Sequence, residues 1–316
     1  MSSKKIIAIT GATGAQGGGM ARAILNDRDS EFAVRAITRD PVSDKAKSLK
    51  AMGAEVVKAD LYDQASLEKA FAGAYGAYCV TFFWAHMSAE KEQTEAKNIA
   101  QAVKKAGVKH AIWSTFEDTR EYIPLTDNRM PTLQGKYKVP HFDAKNEANA
   151  YFTELGIPTT FLYTSFYWEN LIYFGAGPAK GPDGKLYFTL PLGDKKMPSM
   201  TSEDIGKCAY GIFKRNGEFI GKTVGVAGEH LTGYQFASSL SKALGMEVIY
   251  NNVTPDVYRG FGFPGADEMG NMCQFKADFE EIYCGHRDLA LCRELNPELM
   301  TFDQWLSINA GRIPIQ

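Results

Sequence analysis

Seven residues near the start of the chain have the types and the spacing needed to hold a phosphate group: Gly11-Ala12-Thr13-Gly14-Ala15-Gln16-Gly17. Glycines allow a tight turn and a close backbone approach to a pyrophosphate, whose charge the N–H groups and dipole of a helix N-terminus stabilise. The spacing is G-x-x-G-x-x-G, whereas the commonest dinucleotide fingerprint is G-x-G-x-x-G. An ordinary strand-to-helix turn is the alternative interpretation. The apolar run Ile6–Ile9 before the loop and the helix-forming run Met20–Leu25 after it favour nucleotide binding.

The ends of the second and third predicted strands carry charged residues that suit a particular nucleotide. Thr38-Arg39 ends the second strand, where an Asp or Glu would select NAD and an Arg suits the 2′-phosphate of NADP. We therefore predict NADP(H) as the cofactor and Arg39 as the 2′-phosphate contact, against the alternative of an ordinary loop Arg that Asp40 follows directly. At the end of the third strand, Asp60 either accepts from the adenine amino group, with Leu61 over the ring, or only begins a turn.

Two further strand exits are rich in aromatic residues. Thr81-Phe82-Phe83-Trp84 ends the fourth strand, and Tyr167-Trp168-Glu169-Asn170 lies in the segment after the sixth. Such side chains either belong to the core or form the walls of a site for a flat ligand. Their place at the carboxyl end of a sheet favours the second interpretation, with the later segment over the nicotinamide.

A helix after Pro140 carries two residues with acid–base potential. His141 and Lys145 are four positions apart and share a helix face. In a classical short-chain dehydrogenase a Tyr stands four residues before the Lys; the Lys lowers the pKa of that Tyr and holds the nicotinamide ribose, and the Tyr donates the proton. His141 occupies the Tyr position here. It either serves as an acid near neutral pH or only caps the helix, and we favour the second interpretation. We expect Lys145 to contact the cofactor.

Strand and helix signals alternate from residue 4 to about residue 150, which positions these residues at one edge of a sheet. The predicted strands are Ile6–Ile9, Phe32–Thr38, Glu55–Ala59, Tyr78–Thr81, Ala111–Ser114 and Pro158–Tyr163. The predicted helices are Met20–Leu25, Ser43–Met52, Gln64–Phe71, Glu90–Ala106 and His141–Phe152. This alternation predicts an α/β fold with a Rossmann-type, doubly wound parallel sheet. Ligands of such sheets bind beyond the carboxyl ends of the strands, near the switch point.

The last third of the chain changes character and predicts a second, smaller domain. We expect a nucleotide-binding domain over residues 1–170, to which part of 200–230 returns, and a smaller α/β lobe over 171–316 that closes the cleft. Phe261–Gly265, with Met269 and Met272, either lines that cleft or faces the core. Thr119–Pro140 is predicted as a long loop near the site. Helices are expected at Thr232–Leu244, Pro255–Phe261, Asp278–Leu291 and Pro297–Leu306.

Composition and charge exclude several classes of function. A net charge of -2 over 316 residues gives no basic surface for nucleic acid or an anionic membrane. The five cysteines form no C-x-x-C pair, so the sequence suggests neither a disulfide framework nor a metal site. No run reaches the length of a membrane span, and the first apolar run is too short for a signal peptide. We expect a reducing compartment, the cytoplasm and also the nucleus.

The sequence resembles the NmrA-like family, an atypical branch of the short-chain dehydrogenases, and is close to its redox-sensor group found in animals. The matching residues span almost the whole chain in order. They are Thr13–Gly17, Thr38-Arg39, Gly53–Val57, His141–Lys145, Tyr167–Leu171, Pro182–Lys185, Gly262–Ala266 and Thr301–Leu306.

The resemblance implies a Rossmann domain that binds NADP(H) and carries a small C-terminal lobe. By position, Gly11–Gly17 would bind the pyrophosphate and Arg39 the 2′-phosphate, while Asp60 and Leu61 would flank the adenine. Thr81–Phe83 and Lys145 would lie near the ribose and nicotinamide, where residues 167–170 close over the cofactor. The chain departs from the family where Pro41–Asp44 replaces further basic residues after Arg39, and in the length of Thr119–Pro140.

Two functions fit this resemblance. The first, which the missing Tyr favours, is a sensor of the NADPH/NADP ratio that regulates protein partners and changes its conformation or association, with a homodimer among the expected states. The second is an NADPH-dependent reductase of a small, flat, apolar quinone, carbonyl or enone that uses Lys145. Direct binding to nucleic acid or a membrane is not expected.

Overall fold

The computed structural model describes residues 4–315. Its strands are β1 (Lys5–Ile9), β2 (Phe32–Thr38), β3 (Glu55–Lys58), β4 (Gly76–Cys79), β5 (His110–Thr115), β6 (Thr159–Tyr163), β7 (Phe166–Tyr167), β8 (Ala179–Lys180), β9 (Leu186–Thr189), β10 (Lys196–Met200), β11 (Thr223–Gly225), β12 (Glu229–Thr232) and β13 (Val248–Asn251). Its α-helices are α1 (Ala15–Asn26), α2 (Asp44–Ala51), α3 (Gln64–Phe71), α4 (Ala89–Ala106), α5 (Pro140–Glu147), α6 (Asn149–Glu154), α7 (Asn170–Tyr173), α8 (Ser202–Lys214), α9 (Gly233–Leu244), α10 (Pro255–Arg259), α11 (Ala266–Asp278), α12 (Glu280–Gly285), α13 (Leu289–Leu295) and α14 (Phe302–Asn309).

The chain groups into two units. The first runs from the start of the described chain to Asp118 and continues with Pro140–Thr164 and Ile205–Val224. The second contains Thr119–Val139, Ser165–Asp204 and the chain from Gly225 onward. The sequence-based division at residue 170 places residues 119–139 and 165–170 with the nucleotide-binding domain, whereas this grouping assigns them to the second unit.

A seven-stranded sheet forms the centre of the first unit, in the order β11-β6-β5-β4-β1-β2-β3. Neighbouring strands from β6 to β3 pair in parallel. The direction in which the chain adds strands reverses between β1 and β4, which is the topological switch point of a doubly wound sheet. The predicted α/β fold is therefore confirmed.

Small residues lie side by side at the middle of this sheet. Ala8, Ala77 and Ala111 pair across β1, β4 and β5, and all three are fully buried. This row of alanines leaves room for α4 to pack closely, and α4 contributes Ala96 and Val103 to the same apolar cluster. Burial of this cluster stabilises the unit at roughly 25 cal/mol for each Å² of apolar surface.

Most predicted bounds in the first unit lie within two residues of those in the structure, and two helices differ by more. β2 and α3 have the predicted ends. α1 begins at Ala15, five residues before the predicted Met20, because packing of the buried Gly17–Gly19 offsets the low helix propensity of glycine. The single helix predicted over His141–Phe152 is wrong, because α5 ends at Glu147 and α6 begins at Asn149.

The second unit contains two three-stranded sheets, β12-β10-β7 and β13-β9-β8. Aromatic rings form much of its core: Trp168 lies 5.4 Å from Phe302 and 6.1 Å from Trp305 between ring centroids. Phe302 also meets Phe236 of α9 at 5.0 Å. The core of this unit therefore depends on residues far apart in the sequence.

Sequence patterns predicted the helices of the second unit less well. Thr232 caps α9 as expected, with a reciprocal bond to Gln235. The helix predicted over Asp278–Leu291 is wrong, because α11 ends at Asp278 and two short helices, α12 and α13, follow. Met269 and Met272 lie within α11 rather than in a loop. The final helix begins at Phe302 rather than at Pro297, since Thr301 caps it.

Residues 119–140 contain a short 3₁₀ turn at Thr119–Glu121 and one isolated bridge between Leu133 and Tyr137, in agreement with a long loop. Among residues 4–315, no helix has both the length and the apolar character needed to cross a membrane.

Candidate functional site

The glycine loop between β1 and α1 has the geometry of a phosphate cradle. Gly11 has a φ of +61°, in the left-handed region that favours glycine. A Cβ atom on Gly17 would meet the Gly11 carbonyl oxygen and lie 2.7 Å from its carbon, so only glycine fits there. Helix α1 begins at Ala15 after Gly14, and no side chain caps its first turn. The first N–H groups of a helix have no acceptor within the helix, so those of α1 can bind an anion.

Two side chains of the loop are held by the neighbouring strands. The Gln16 amide oxygen accepts hydrogen bonds from Tyr78 of β4 and Ser114 of β5, each at 2.9 Å. The Thr13 hydroxyl lies 3.5 Å from the hydroxyl of Thr38 at the end of β2. The loop is thus fixed at the switch point before any ligand arrives. The direct cofactor contacts predicted for Thr13 and Gln16 stay predictions.

The residues predicted to select the nucleotide lie at the carboxyl ends of β2 and β3. Arg39 is exposed directly after β2. Asp60 is also exposed, and its carboxylate accepts a hydrogen bond of 2.9 Å from the Tyr62 backbone N–H. This bond is the turn-forming arrangement considered for Asp60, and it leaves the second carboxylate oxygen available to a ligand. Leu61 is half-buried and packs against the central core cluster.

The aromatic exit after β4 divides into exposed and buried rings. Phe82 is 53% exposed, whereas Phe83 is buried. The His141 ring is buried too, with its centroid 5.0 Å from Trp84 and 5.7 Å from both Phe83 and Phe116. Phe82 is therefore exposed after β4, while Phe83 and His141 belong to a buried aromatic cluster.

Lys145 is buried in an ion pair at the same edge. Its ammonium nitrogen donates to Glu92 Oε1 at 2.6 Å and to the Thr81 hydroxyl at 2.5 Å. The Thr81 hydroxyl in turn donates to the same Glu92 oxygen. The ring of Trp113 lies 5.4 Å below the ammonium group. An ammonium group has three donors, so two protein bonds leave one for a ligand hydroxyl.

A second carboxylate and a histidine lie beside this ion pair. Glu95 is one turn along α4 from Glu92 and is 7% exposed. Burial, followed by the negative charge of Glu92, raises the pKa of Glu95 to about 7. Burial also lowers the pKa of His86, whose Nε2 lies 3.8 Å from a Glu95 oxygen. At neutral pH the cluster therefore contains a neutral imidazole and a carboxyl group close to half ionisation.

The ligand atoms of His86, Glu92 and Glu95 lie within 4.8 Å of one another, a spacing that a metal ion could use. Two observations disfavour that use. The Ser88 backbone N–H donates to His86 Nδ1 at 3.1 Å, so in the neutral ring Nε2 carries the hydrogen and has no lone pair to offer a metal. The Lys145 ammonium already supplies the positive charge next to Glu92. The cluster is better described as a buried ion pair with a carboxyl group and a neutral imidazole beside it.

Sequence reasoning did not find Glu92, Glu95 or His86. A signal for the two acids is present in α4, where Glu92, Ala96, Ile99 and Val103 recur at spacings of three and four. Glu95 lies beside that stripe, and acidic side chains on the apolar face of a helix are buried only when they are paired. Their partner could not be identified, because Lys145 is 53 residues from Glu92 in the chain.

The predicted contacts Tyr167, Trp168, Glu169 and Asn170 belong to the second unit. Trp168 is fully buried in the aromatic core of that unit. Glu169 accepts from the Thr201 hydroxyl at 2.5 Å and from the Ser202 backbone N–H at 2.8 Å, which places its carboxylate at the N-terminus of α8. Both residues thus have a structural role within their own unit. Their cofactor contacts, and those of Tyr167 and Asn170, stay predictions.

A model of the NmrA-like family matches residues 3–306. The chain belongs to the NmrA-like family. One curated relative of this NmrA-like protein is an NmrA-like family domain-containing oxidoreductase of Aspergillus flavus, 31% identical over 285 residues that cover 84% of this chain and 82% of the relative. The resemblance seen in the sequence is therefore confirmed.

Solved structures of similar fold include proteins bound to nicotinamide nucleotides. NmrA, a negative transcriptional regulator, in complex with NADP has a TM-score of 0.78 at 23% identity, covering 98% of this chain and 96% of NmrA. The Citrobacter sp. triphenylmethane reductase complexed with NADP(H) has a TM-score of 0.76 at 21% identity, covering 96% and 99%. At these identities the likeness shows the fold of this NmrA-like protein.

Proposed function

We propose that this NmrA-like protein binds NADP(H) at the carboxyl edge of the sheet in its first unit and reduces a small, flat, apolar acceptor. The observation that carries this proposal is the glycine cradle at the switch point, where a Cβ atom on Gly17 would meet the backbone of Gly11. The cradle, the uncapped start of α1 and the exposed Arg39 suit the pyrophosphate and 2′-phosphate of the cofactor.

The residues of the first unit fit the other parts of the cofactor as well. Asp60 and Leu61 would flank the adenine, and Lys145 has one ammonium donor left for the nicotinamide ribose. Thr81 and Phe82 lie at the end of β4, where the exposed ring offers an apolar wall. When bound, NADPH supplies a hydride. The protein would orient the acceptor and exclude water, and the Lys145 ammonium would stabilise charge on a reduced oxygen.

Reduction is favoured over sensing alone by the curated relatives, which include fungal proteins named as oxidoreductases at 28–31% identity. A sensor of the NADPH/NADP ratio that regulates protein partners, or that associates as a homodimer, is the second candidate. It is supported by His141, which occupies the position of the missing Tyr and is buried among aromatic rings. The fold shared with NmrA, described as a negative transcriptional regulator, supports it too.

We expect Arg39→Ala to weaken NADPH and NADP binding by roughly 10–100-fold, because it removes a charge-assisted contact worth about 1.5–3 kcal/mol. NADH and NAD, which have no 2′-phosphate, should lose little affinity. Calorimetric titration of all four nucleotides into wild type and variant measures this difference. Arg28→Ala, which removes another exposed Arg of the first unit, is the matched control. An equal loss for all four nucleotides would contradict the role given to Arg39.

Turnover separates the two candidate functions. NADPH oxidation is followed by the absorbance of the reduced nicotinamide across a panel of quinones, enones and aromatic carbonyls. We expect steady turnover with at least one flat acceptor and lower KM values for more apolar ones. Tight NADPH binding without turnover across the panel would reject the reductase and leave the sensor.

A further inference from the structure

Only one of the two oxygens of the Glu92 carboxylate has hydrogen-bond partners among the described residues. Oε1 accepts from both Lys145 and Thr81, whereas Oε2 is buried and has no hydrogen-bond partner in the described chain. A buried carboxylate oxygen without a hydrogen-bond donor lowers the stability of the folded state. A proton or a donor from outside the ion pair would therefore stabilise this atom. Glu95 is an acidic group close to this carboxylate, since one of its oxygens lies within 4.8 Å of a Glu92 oxygen.

Glu95 lies where the charges of several elements meet. Positive groups act on it from Lys145 on α5 and from Arg39 after β2. Its other neighbours are uncharged or negative at neutral pH. The titratable and charged groups that face Glu95 are Glu92 on the same helix, His86 before that helix, Tyr62 after β3, Lys145 and Arg39.

We propose that Glu92 and Glu95 form a proton-storing pair behind Lys145, and that this pair takes up a proton at Glu95 when NADP(H) binds. The proton on Glu95 lies beside the Glu92 carboxylate, one of whose oxygens is within 4.8 Å of a Glu95 oxygen, so Glu92 remains ionised and keeps its bonds to Lys145 and Thr81. This inference rests on the proposed cofactor site for its second half. Its first half, storage of the proton, is a property of the chain without ligand.

Charge balance gives the direction of the coupling. In the free protein, burial and Glu92 favour the protonated form of Glu95, while the hydrogen bond with Tyr62 and the charges of Lys145 and Arg39 favour the ionised form. A 2′-phosphate paired with Arg39 offsets the positive charge of Arg39 that acts on Glu95. The ionised form of Glu95 then becomes less favourable, so its pKa rises further and a proton enters. Since the pKa of Glu95 in the free protein is raised to about 7, this exchange takes place close to neutral pH.

Calorimetry in buffers of different ionisation enthalpy measures the proton uptake directly. We expect NADPH binding to take up roughly half a proton at about pH 7.5 in wild type, for a further rise of about one unit in the pKa of Glu95. Glu95→Gln should remove this uptake. Glu90→Gln, on the exposed face of the same helix, is the matched control and should behave as wild type. The same slope in wild type and Glu95→Gln would overturn the proposal. The cofactor's 2′-phosphate titrates near pH 6 and cancels in this comparison.

The nucleotide-free protein tests the storage of the proton separately. The pKa of Glu95 is raised from 4.5 to about 7, so the folded state holds a proton that the unfolded state has lost. Stability therefore falls as pH rises through that window. The melting temperature of wild type should fall by a few degrees across this window relative to that of Glu95→Gln. Parallel curves would overturn proton storage.

A second variant guards against misfolding of the first and separates the two proposals. Glu92→Gln removes the negative neighbour of Glu95, so the pH at which the melting temperature falls should shift to a lower value. An unchanged inflection would show that the two carboxyl groups do not act as a pair. If wild type fails to bind NADPH at all, the proposed function fails, and so does the coupling, while the nucleotide-free curves still decide whether Glu95 stores a proton.

Discussion

We expect Lys145→Ala to lower the free energy of unfolding by about 3–5 kcal/mol at about pH 8, because it leaves a buried carboxylate without its cation. Glu92 is fully buried, and Lys145 is its one ion-pair partner among residues 4–315. The substitution also leaves a cavity above Trp113, which the lysine stem now covers. Urea unfolding of the nucleotide-free variant measures the loss.

A double variant identifies the cause of that loss. Glu92→Gln combined with Lys145→Met removes both charges and keeps the volume, so most of the stability should return. Lys97→Ala, at an exposed position of α4, is the control and should change stability by less than about 0.5 kcal/mol. A Lys145→Ala protein as stable as wild type would mean that Glu92 is protonated or hydrated rather than paired.

An activity test on Lys145→Ala alone does not isolate a catalytic role for this lysine. A Lys145→Ala variant can lose turnover because the edge of the sheet loosens, as well as because a catalytic group is gone. The double variant keeps the packing but lacks the ammonium. Loss of turnover in a stable double variant would therefore assign a direct role to Lys145, whereas retained turnover would limit that lysine to holding Glu92 and Thr81.

The central sheet was predictable because its signals are local. β2 is a run of mostly apolar and β-forming residues around Arg35, and its ends, Phe32 and Thr38, were predicted to the residue. α3 starts after Asp63, whose carboxylate caps it, and its ends also agree. In the second unit, α12 and α13 are short and their core partners are distant in the chain, so periodicity merged parts of them into one helix.

The candidate site was predictable only where function depends on backbone or on a single conspicuous residue. The glycine loop carries its own signal, since spacing and flanking elements are adjacent in sequence. The cluster around Lys145 does not, because it joins two distant segments: Thr81, His86 and Glu92 share one stretch of the chain, whereas Lys145 is 53 residues from Glu92. Only the folded sheet brings these segments together. Sequence patterns do not predict buried polar pairs of this kind, because they do not identify the partner.

A substitution in the glycine loop is expected to have a large effect on NADPH binding. We expect Gly17→Ala to weaken NADPH binding about 100-fold, because the new methyl group would displace the Gly11 carbonyl and open the cradle. The Gly11 backbone cannot give way locally, since its φ of +61° is fixed by the turn from β1 into α1. Calorimetric titration of NADPH measures the loss, and circular dichroism checks that the variant keeps its fold.

The adjacent glycine supplies a control with the same chemical change. A Cβ atom on Gly18 would lie 3.0 Å from the end of the Arg22 side chain, which is flexible and can move aside. Gly18→Ala also replaces a glycine inside a helix, which favours the helix by about 1 kcal/mol. It should therefore bind NADPH within about threefold of wild type. Equal losses in both variants would mean that the start of α1 tolerates no methyl group at all, and the close approach of Gly17 to Gly11 would no longer explain the loss of binding.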